Sequence, residues 1–358
     1  MALGIFMDEN KKAESINSVR KFVSENNDFT VFYHFDTDGI VSAALLTAAL
    51  KKINKGVYYY RPTNYEDYEK MDMQEYSKNI IICDMQIREA QLPLFKDKNL
   101  CIIDHHQIIE ADMSAYANPK IWGDNTYTPC SLLVYRIFKQ EVEELDWESA
   151  IGLVGDSGGK ENSEFVKETA EKYGIKIGTD EFMYDNDFGK AAGMIGAMTT
   201  VYNREGADEA LGILMNSASI SDVINNQKLV FADKKVRFEL EKLKEDFKEK
   251  AEKVGKVYFY ELDQKKKRYS STLVTELSFD KEYYGNVLVF MTKINARTMR
   301  LNLRANGVEI KLPVMLNNIF KKVKGEGGGH DKASGGSINY KDKDKFKQLF
   351  LEEAKDLN

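Results

Sequence analysis

The stretch TVFYHFDTDGIVSAALLTAALKKI, residues 30–53, decides the fold class of this 358-residue chain. Its first seven residues are almost continuously apolar, as expected for a strand buried on both faces of a sheet. The following GIVSAALLTAALKKI has no proline and no interior glycine, so it favours a helix. A buried strand followed directly by a helix is the repeating unit of α/β folds with parallel sheets.

Four further apolar runs continue this pattern. They are VYYY (57–60), NIIICD (79–84), LCIIDHH (100–106) and AIGLVGD (150–156), and we interpret all four as strands. TPCSLLVYRIFKQ (128–140) is typical of a helix that Thr128 caps and that has Pro129 in its first turn. The sequence therefore predicts five mostly parallel strands covered by helices.

After residue 156 the pattern becomes helical and then mixed. We expect helices over 163–173, over 189–216 with an interruption near 203–206, and over 222–253. Strand patterns return in KVYFYEL, NVLVFMTKI and RLNLRA, and helix patterns in LPVMLNNIFKKV and at the C-terminus. We therefore predict a parallel-sheet α/β domain over 1–190, a helical connector over 191–254 and a smaller mixed-sheet α/β domain over 255–358. The active site is expected in the cleft between the two α/β domains.

Composition excludes several classes of protein. Apolar residues make up 43% and charged residues 30% of the chain, which is typical of a soluble globular protein. No apolar run approaches the ~18–20 residues that span a bilayer, so we expect no membrane partner. The N-terminal MALGIFMDEN has no basic segment, which argues against a signal peptide. Three cysteines without a CxxC motif favour a reducing, cytoplasmic location.

Charge is distributed unevenly along the chain. Residues 1–225 carry a net charge of −15 and residues 226–358 carry +9, which together give the overall −6. An acidic half suits a cluster of metal ligands, and a basic half suits binding of a polyanion.

Residues that commonly bind metal ions follow four of the five predicted strands. Parallel strands end at one edge of a sheet, where ligands of open α/β folds bind, so these side chains are expected to converge. Three of the four histidines of the chain lie at these strand ends. Burying so many carboxylates and imidazoles together without a cation would be unfavourable. The residues are His34, Asp36, Asp38, Asp84, Asp104, His105, His106 and Asp156.

The type of ligand narrows the choice of metal. Carboxylates and imidazoles without thiolates suit Mn²⁺, Mg²⁺, Fe²⁺ or Co²⁺ better than a structural zinc ion. Two ions that share a bridging aspartate and lie ~3.5–4 Å apart are a common arrangement for in-line attack at phosphorus.

A glycine-rich segment lies in the predicted second domain. Gly327, Gly328 and Gly329 precede His330, the fourth histidine, and would let the backbone approach an anion closely. Arg304 lies upstream in RLNLRA and could bind a phosphate with its guanidinium fork. A simple glycine-rich hairpin and a solvated arginine explain these residues equally well at this point.

These segments together resemble a known family. HFDTDGIVSA, IICD, IIDHH and LVGDSGG are similar, in order and spacing, to the four motifs of the DHH phosphoesterase superfamily. LNLRANGVEI followed by GGGHDKASGG resembles the DHH-associated C-terminal domain of RecJ-like exonucleases and of oligoribonuclease/pAp-phosphatase enzymes. The compact first motif, His-x-Asp-x-Asp-Gly, is more similar to RecJ-like proteins of archaeal type.

The resemblance implies a role for each residue. His106 would act at the phosphate and the leaving group, and Asp104 would orient a histidine. Arg304, His330 and the backbone of Gly327, Gly328 and Gly329 would bind the substrate's phosphate. One ion would be held by His34, Asp36 and Asp84, and the other by Asp38, Asp84, His105 and Asp156.

The resemblance also implies an activity. It suggests a two-metal phosphodiesterase, with Mn²⁺ favoured over Mg²⁺ and Co²⁺, that releases 5′-mononucleotides from single-stranded DNA or RNA. The alternative is an enzyme acting on short oligonucleotides, pAp or cyclic dinucleotides. A more remote alternative is a non-catalytic replication scaffold, in which metal ligands would be expected to be lost. The sequence identifies no protein partner.

Overall fold

A computed structural model of the chain describes residues 7–111, 113–178, 184–355 and 357. The first six residues, on which the signal-peptide expectation partly depends, lie outside this description. Contacts within the chain define two units, Met1–Lys234 and Lys235–Asn358. The division falls inside the segment 191–254 that the sequence suggests as a connector.

The first unit is built on a parallel sheet. Within the described residues its strands are β1 (Phe29–His34), β2 (Val57–Thr63), β3 (Asn79–Cys83), β4 (Asn99–Ile103) and β5 (Ala115–Ala117). They are arranged in the order β2-β1-β3-β4-β5, and each neighbouring pair is parallel. In the register, Cys83 pairs with both Tyr33 and Ile103. The ends of β1, β3 and β4 therefore lie side by side, as the sequence predicts.

Helices surround this sheet. They are α1 (Glu9–Glu25), α2 (Thr37–Lys52), α3 (Cys130–Ile137), α4 (Lys139–Val142), α5 (Asp146–Gly155), α6 (Ser163–Tyr173), α7 (Asp187–Met215) and α8 (Ile220–Ile224). Helix α9 (Gln227–Lys250) begins in the first unit and ends in the second. Helix α2 is buried along most of its length and packs against α3, α5 and α7, because its alanines and leucines leave no polar face. Asp36 caps it by accepting the Gly39 N–H at 3.0 Å.

The interpretation of AIGLVGD as the fifth strand is wrong. These residues lie in helix α5, and the fifth strand is the short β5, which the sequence pattern did not reveal. Helix α5 is buried on all sides between α2, α3 and α7, so its sequence lacks the polar face that usually marks a helix. A continuous apolar run of this length does not distinguish a buried strand from a buried helix. Asp156 therefore follows a helix and not a strand.

The interruption predicted near residues 203–206 is confirmed. Asn203 has φ 54° and ψ −130° inside α7, a backbone conformation that residues other than glycine rarely adopt. The predicted helix over 222–253 is divided, because α8 ends at Ile224 and α9 begins at Gln227.

The second unit contains a mixed sheet, as predicted. Within the described residues its strands are β6 (Glu252–Val254), β7 (Val257–Leu262), β8 (Val287–Lys293), β9 (Thr298–Arg304), β10 (Gly325–His330) and β11 (Ala333–Asn339). Their order is β10-β11-β9-β8-β7-β6, with only β7 and β8 parallel. Helices α10 (Ser270–Phe279), α11 (Leu312–Phe320) and α12 (Lys343–Ala354) complete the unit. Alternate residues of β9, such as Leu301 and Leu303, form a core with Phe346 and Phe350.

None of the helices in the described residues combines the length and apolar character needed to cross a membrane.

Candidate metal centre

The carboxyl-terminal ends of β1, β3 and β4 bring together residues that are distant in sequence. His34 ends β1, Asp84 follows β3 and His105 lies two positions beyond β4. His34 Nδ1 lies 2.7 Å from Asp36 Oδ2 and 3.7 Å from Asp84 Oδ2. The other oxygen of Asp84, Oδ1, lies 3.2 Å from His105 Nε2. Asp84 therefore belongs to two neighbouring groups of ligand atoms.

A further group forms between helices and sheet. Asp38 comes from the first turn of α2, and Asp156 follows α5. Asp156 Oδ2 lies 3.5 Å from His105 Nε2. All six residues that the sequence suggests as metal ligands thus fall into overlapping groups. In each group the ligand atoms lie within 4.8 Å of one another: His34, Asp36 and Asp84; Asp84, His105 and His106; Asp38, His105 and Asp156.

Asp38 also connects two helices. Its Oδ2 accepts the backbone N–H of Cys130 at 2.6 Å, and its Oδ1 accepts that of Ser131 at 3.0 Å. These are the first residues of α3, so Asp38 satisfies N–H groups that have no partner within the helix. The sequence suggests Thr128 as the cap, but no side chain of the described adjoining residues caps α3. The cap comes from α2 because the two helices pack side by side.

Asp84 has an uncommon backbone conformation. Its φ is 57°, in the left-handed region, and its N–H donates to the Ile103 carbonyl at 2.9 Å. Aspartate adopts this region more readily than most residues. Such conformations occur at functional sites, where the surrounding structure maintains them. Here the conformation holds a fully buried carboxylate between His34 and His105.

His106 and Asp104 form a close pair beside the cluster. His106 Nδ1 lies 2.6 Å from Asp104 Oδ1, and Asp104 is almost completely buried. Burial opposes a charge on the imidazole, but the carboxylates of Asp104 and Asp84 outweigh it and raise the pKa of His106 to about 10. His106 is 39% exposed, so its ring remains accessible from solvent.

Tyr127 is a residue of the cluster that the sequence analysis missed. Its hydroxyl donates to Asp156 Oδ2 at 2.6 Å, and its ring lies 5.3 Å from that of His105. Burial and the Asp156 carboxylate raise the pKa of Tyr127 far above its usual value, so the hydroxyl keeps its proton. Tyr127 lies in a loop without a recognisable motif, and no pattern in the sequence indicates this contact.

The aspartates of the cluster strongly affect each other's ionisation. Burial raises the pKa of Asp84 to about 7, and the Asp36 carboxylate adds to the rise. Burial and Asp84 together raise the pKa of Asp38 to about 7. Burial raises the pKa of Asp156 to about 8, although His105 opposes the change. Neighbouring buried carboxylates resist full ionisation unless a positive charge joins them.

The side chains fit a divalent cation. Among the described residues several buried atoms make no hydrogen bond of good geometry, including Asp84 Oδ1 and His105 Nδ1. A buried polar atom without a partner costs about 1–3 kcal/mol, so an ion that such atoms could coordinate would stabilise the arrangement. The donors are imidazole nitrogens and carboxylate oxygens, which suit Mn²⁺, Mg²⁺, Fe²⁺ or Co²⁺.

Two of the phosphate-binding residues suggested by the sequence, Arg304 and His330, share one face of the second sheet. Ala333 of β11 pairs with His330 on one side and with Arg304 on the other. Directly paired residues of antiparallel strands point to the same face, so His330 and Arg304 flank the small Ala333 side chain. Arg304 is oriented by α10, because its Nε donates to Thr275 Oγ1 at 3.0 Å.

Gly328 differs from its two neighbours in the glycine-rich strand. A methyl group added at Gly327 would lie 2.4 Å from the Gly335 carbonyl oxygen, and Gly329 has φ 134°, so hairpin geometry accounts for both glycines. At Gly328 an added methyl group would meet nothing within 4 Å. The hairpin itself does not require this glycine, and the exposed backbone there is open to a ligand.

A parallel-sheet α/β unit with a carboxylate and histidine cluster at its strand ends, joined to a mixed-sheet unit, defines the class of this protein. Residues 28–154 match the family model described as the DHH family, N-terminal domain, and residues 255–356 match the DHHA1 domain. The chain therefore belongs to the DHH family, as the sequence motifs suggest. A comparison with curated protein sequences gives no match.

Solved structures share the fold at low sequence identity. RecJ from Thermus thermophilus, solved in complex with Mn²⁺, is 14% identical with a TM-score of 0.71. The match covers 95% of this chain but 54% of RecJ, so the chain spans about half the length of that protein. The DHH domain of a member of the s1p family of ribosomal proteins is 17% identical with a TM-score of 0.75, over 98% and 91% of the two chains. A pGpG-specific phosphodiesterase from Vibrio cholerae is 13% identical with a TM-score of 0.52, over 91% and 98%.

Proposed function

We propose that this protein is a divalent-metal-dependent phosphodiesterase that acts on single-stranded DNA or RNA and releases 5′-mononucleotides. The observation that carries the proposal is the convergence of three histidines and four aspartates in overlapping groups at one edge of the first sheet. Similarity to RecJ, which has been solved in complex with Mn²⁺ and with Mg²⁺, supports the fold and is consistent with a divalent cation. Cys83, Cys101 and Cys130 are free thiols, which supports a reducing, cytoplasmic setting.

We assign two cation sites within the cluster. His34, Asp36 and Asp84 would hold one ion, and Asp38, Asp84, His105 and Asp156 the other. Mn²⁺ is the proposed ion, with Mg²⁺ and Co²⁺ as substitutes. When bound, such ions supply an activated water near neutral pH and stabilise negative charge on the phosphate oxygens.

His106 is proposed to act on the reacting phosphate. The Asp104 carboxylate raises the pKa of His106 and so favours a protonated imidazole, which can donate a hydrogen bond or a proton to a developing oxyanion. Asp104 fixes the ring through Nδ1, which leaves Nε2 as the free donor. These roles fit the exposure of the two residues, because Asp104 is buried and His106 is accessible from solvent.

The second unit is proposed to bind the phosphate backbone of the substrate. Arg304 offers a guanidinium fork that α10 already orients, and His330 lies on the same sheet face. The open backbone at Gly328 would allow a phosphate to approach closely, with Gly327 and Gly329 maintaining the hairpin around it. The excess of basic residues after residue 225 favours a polyanion.

A second candidate is a phosphodiesterase for very short substrates, such as dinucleotides. It is favoured by the similarity to the pGpG-specific enzyme over nearly the full length of both chains.

A digestion ladder distinguishes these activities. Metal-free protein would be incubated with Mn²⁺ and single-stranded DNA or RNA of two to about 24 nucleotides, labelled at either end. Stepwise shortening of long strands to mononucleotides would support the exonuclease, and cleavage of only the shortest substrates would support the second candidate. The Asp84→Asn variant, purified identically, controls for contaminating nucleases. Mn²⁺ binding without cleavage of any substrate would contradict both candidates and favour a scaffold.

A further inference from the structure

Tyr127 contacts two members of one ligand group at once. Its hydroxyl donates to Asp156 Oδ2, and its ring packs edge-on against His105, with the ring planes 64° apart. Asp38 completes this group, and both of its oxygens are already fixed by backbone N–H groups of α3. The hydroxyl of Tyr127 orients the Asp156 carboxylate in the same way, through a hydrogen bond to Oδ2.

The loop that carries Tyr127 is fastened to the turn that carries Asp156. The side-chain amide of Asn162 donates to the Tyr127 carbonyl at 2.7 Å and to the Gly158 carbonyl at 3.0 Å. Asn162 is buried, and Gly158 lies two positions after Asp156. Asn162 therefore connects the loop of Tyr127 with the turn that follows Asp156.

We propose that Tyr127 is a positioning residue for the cation site formed by Asp38, His105 and Asp156, and this proposal rests on the metal centre of the proposed function. A carboxylate oxygen has two lone pairs, so Oδ2 can accept the phenol with one and face the cation with the other. An aspartate held in its coordinating orientation loses less freedom when it binds an ion. Partners of this kind, which orient a metal ligand without touching the metal, typically contribute 10- to 100-fold in metal affinity.

The chain offers a matched control for this hydrogen bond. Tyr173 donates from its hydroxyl to Asp146 Oδ1 at 2.7 Å, so it forms the same kind of tyrosine–aspartate pair. Neither Tyr173 nor Asp146 belongs to a group of metal-ligating atoms among the described residues. Tyr127→Phe and Tyr173→Phe each remove one hydroxyl and keep the ring.

The experiment is a calorimetric titration of metal-free protein with Mn²⁺. We expect Tyr127→Phe to weaken one of two binding events by 10- to 100-fold and to leave the other unchanged, whereas Tyr173→Phe alters neither. The rise in melting temperature caused by Mn²⁺ should shrink only in Tyr127→Phe, while both variants melt alike in EDTA.

Two results would overturn the proposal in distinguishable ways. Wild-type protein that binds no Mn²⁺ removes the metal centre and with it the role of Tyr127. Wild-type binding of two ions with unchanged affinities in Tyr127→Phe removes the role of Tyr127 alone. If Tyr127→Phe does not fold, Asn162→Ala takes its place in the same titration. Loss of the anchor should then weaken the same event, and unchanged binding overturns the proposal.

Discussion

Asp84 Oδ1 lies 3.2 Å from His105 Nε2, although the two residues follow different strands. The contact arises because β3 and β4 are parallel neighbours with Cys83 opposite Ile103. Asp84 itself adopts a left-handed backbone conformation, with φ 57°. The opposite oxygen of the same carboxylate faces His34, so Asp84 connects the group of His34 and Asp36 with the group of His105 and His106.

Replacing Asp84 tests this connection. We expect Asp84→Asn to abolish turnover and to eliminate or greatly weaken both Mn²⁺ binding events, because both proposed sites lose one ligand. Asparagine tolerates the left-handed backbone and carries no buried charge, so the metal-free variant should be at least as stable as the wild type. Calorimetry with Mn²⁺ and melting in EDTA measure the two effects. Near-normal turnover would contradict the bridging assignment.

Asp38 is expected to respond differently, because it also caps α3. Asp38→Ala should lose Mn²⁺ at one site and also reduce the stability of the metal-free protein by about 1–2 kcal/mol, the usual effect of losing a helix cap. Denaturant unfolding in EDTA would measure the stability. A metal-free Asp38→Ala protein as stable as metal-free Asp84→Asn would indicate that the contact with α3 contributes nothing.

Arg304 is expected to affect substrate binding without affecting metal binding. Arg304→Lys keeps the positive charge but removes the guanidinium fork, which hydrogen bonds to Thr275 and the Leu303 carbonyl orient. Because charge-assisted hydrogen bonds to the substrate phosphate would be lost, KM should rise about 10- to 100-fold. Arg297→Ala, an exposed arginine before the same strand, is the control. Steady-state kinetics and Mn²⁺ calorimetry are the measurements, and loss of metal from Arg304→Lys would contradict the separation of roles.

Glu148 should make the stability of the protein depend on pH. It is buried in α5, its Oε2 makes no hydrogen bond to any described residue, and burial raises its pKa to about 8. The unfolded chain releases the Glu148 proton near pH 4.5, whereas the folded protein holds it until about pH 8. The folded protein is therefore most stable with respect to Glu148 below pH 4.5, and its free energy of unfolding falls as the pH rises from 4.5 to 8.

The Glu148→Gln variant removes this dependence. Its stability relative to the wild type should be greater at pH 8.5 than at pH 5 by roughly 4 kcal/mol, because each unit of pKa difference corresponds to about 1.4 kcal/mol. Denaturant unfolding in EDTA at the two pH values measures the difference. Exposed Glu168, replaced by Gln in the same way, should change neither value. An equal gain at both pH values would mean that the Glu148 carboxyl does not ionise as described.

The sequence predicts the framework of the site well. Parallel strands must end at a common edge, so His34, Asp84 and His105 could be placed together from the apolar runs that precede them. The structure brings Asp156 close to His105, as the sequence predicts, although the run before Asp156 forms a helix and not a strand. Helix α5 ends beside the sheet edge, so Asp156 still lies next to His105.

Contacts between distant segments could not be predicted. The hydrogen bonds from Asp38 to α3 link positions more than 90 residues apart and depend on how α2 and α3 pack. The contact between Tyr127 and Asp156 depends on a loop conformation that Asn162 fixes. Neither contact follows from residue spacing or local propensity, because both require the coordinates of side chains on separate elements.

The position of Asp156 at the end of a helix has a consequence for folding. His34, Asp84 and His105 are fixed as soon as their strands pair, whereas Asp156 reaches them only once α5 has packed against α2, α3 and α7. A state in which α5 has separated from α2, α3 and α7 would keep the group of His34, Asp36 and Asp84 but would lose the group that includes Asp156. If the two proposed cation sites bind ions, the number of cations bound would report how far the helical layer has assembled, and occupancy of the second site would stabilise the packed helix by mass action.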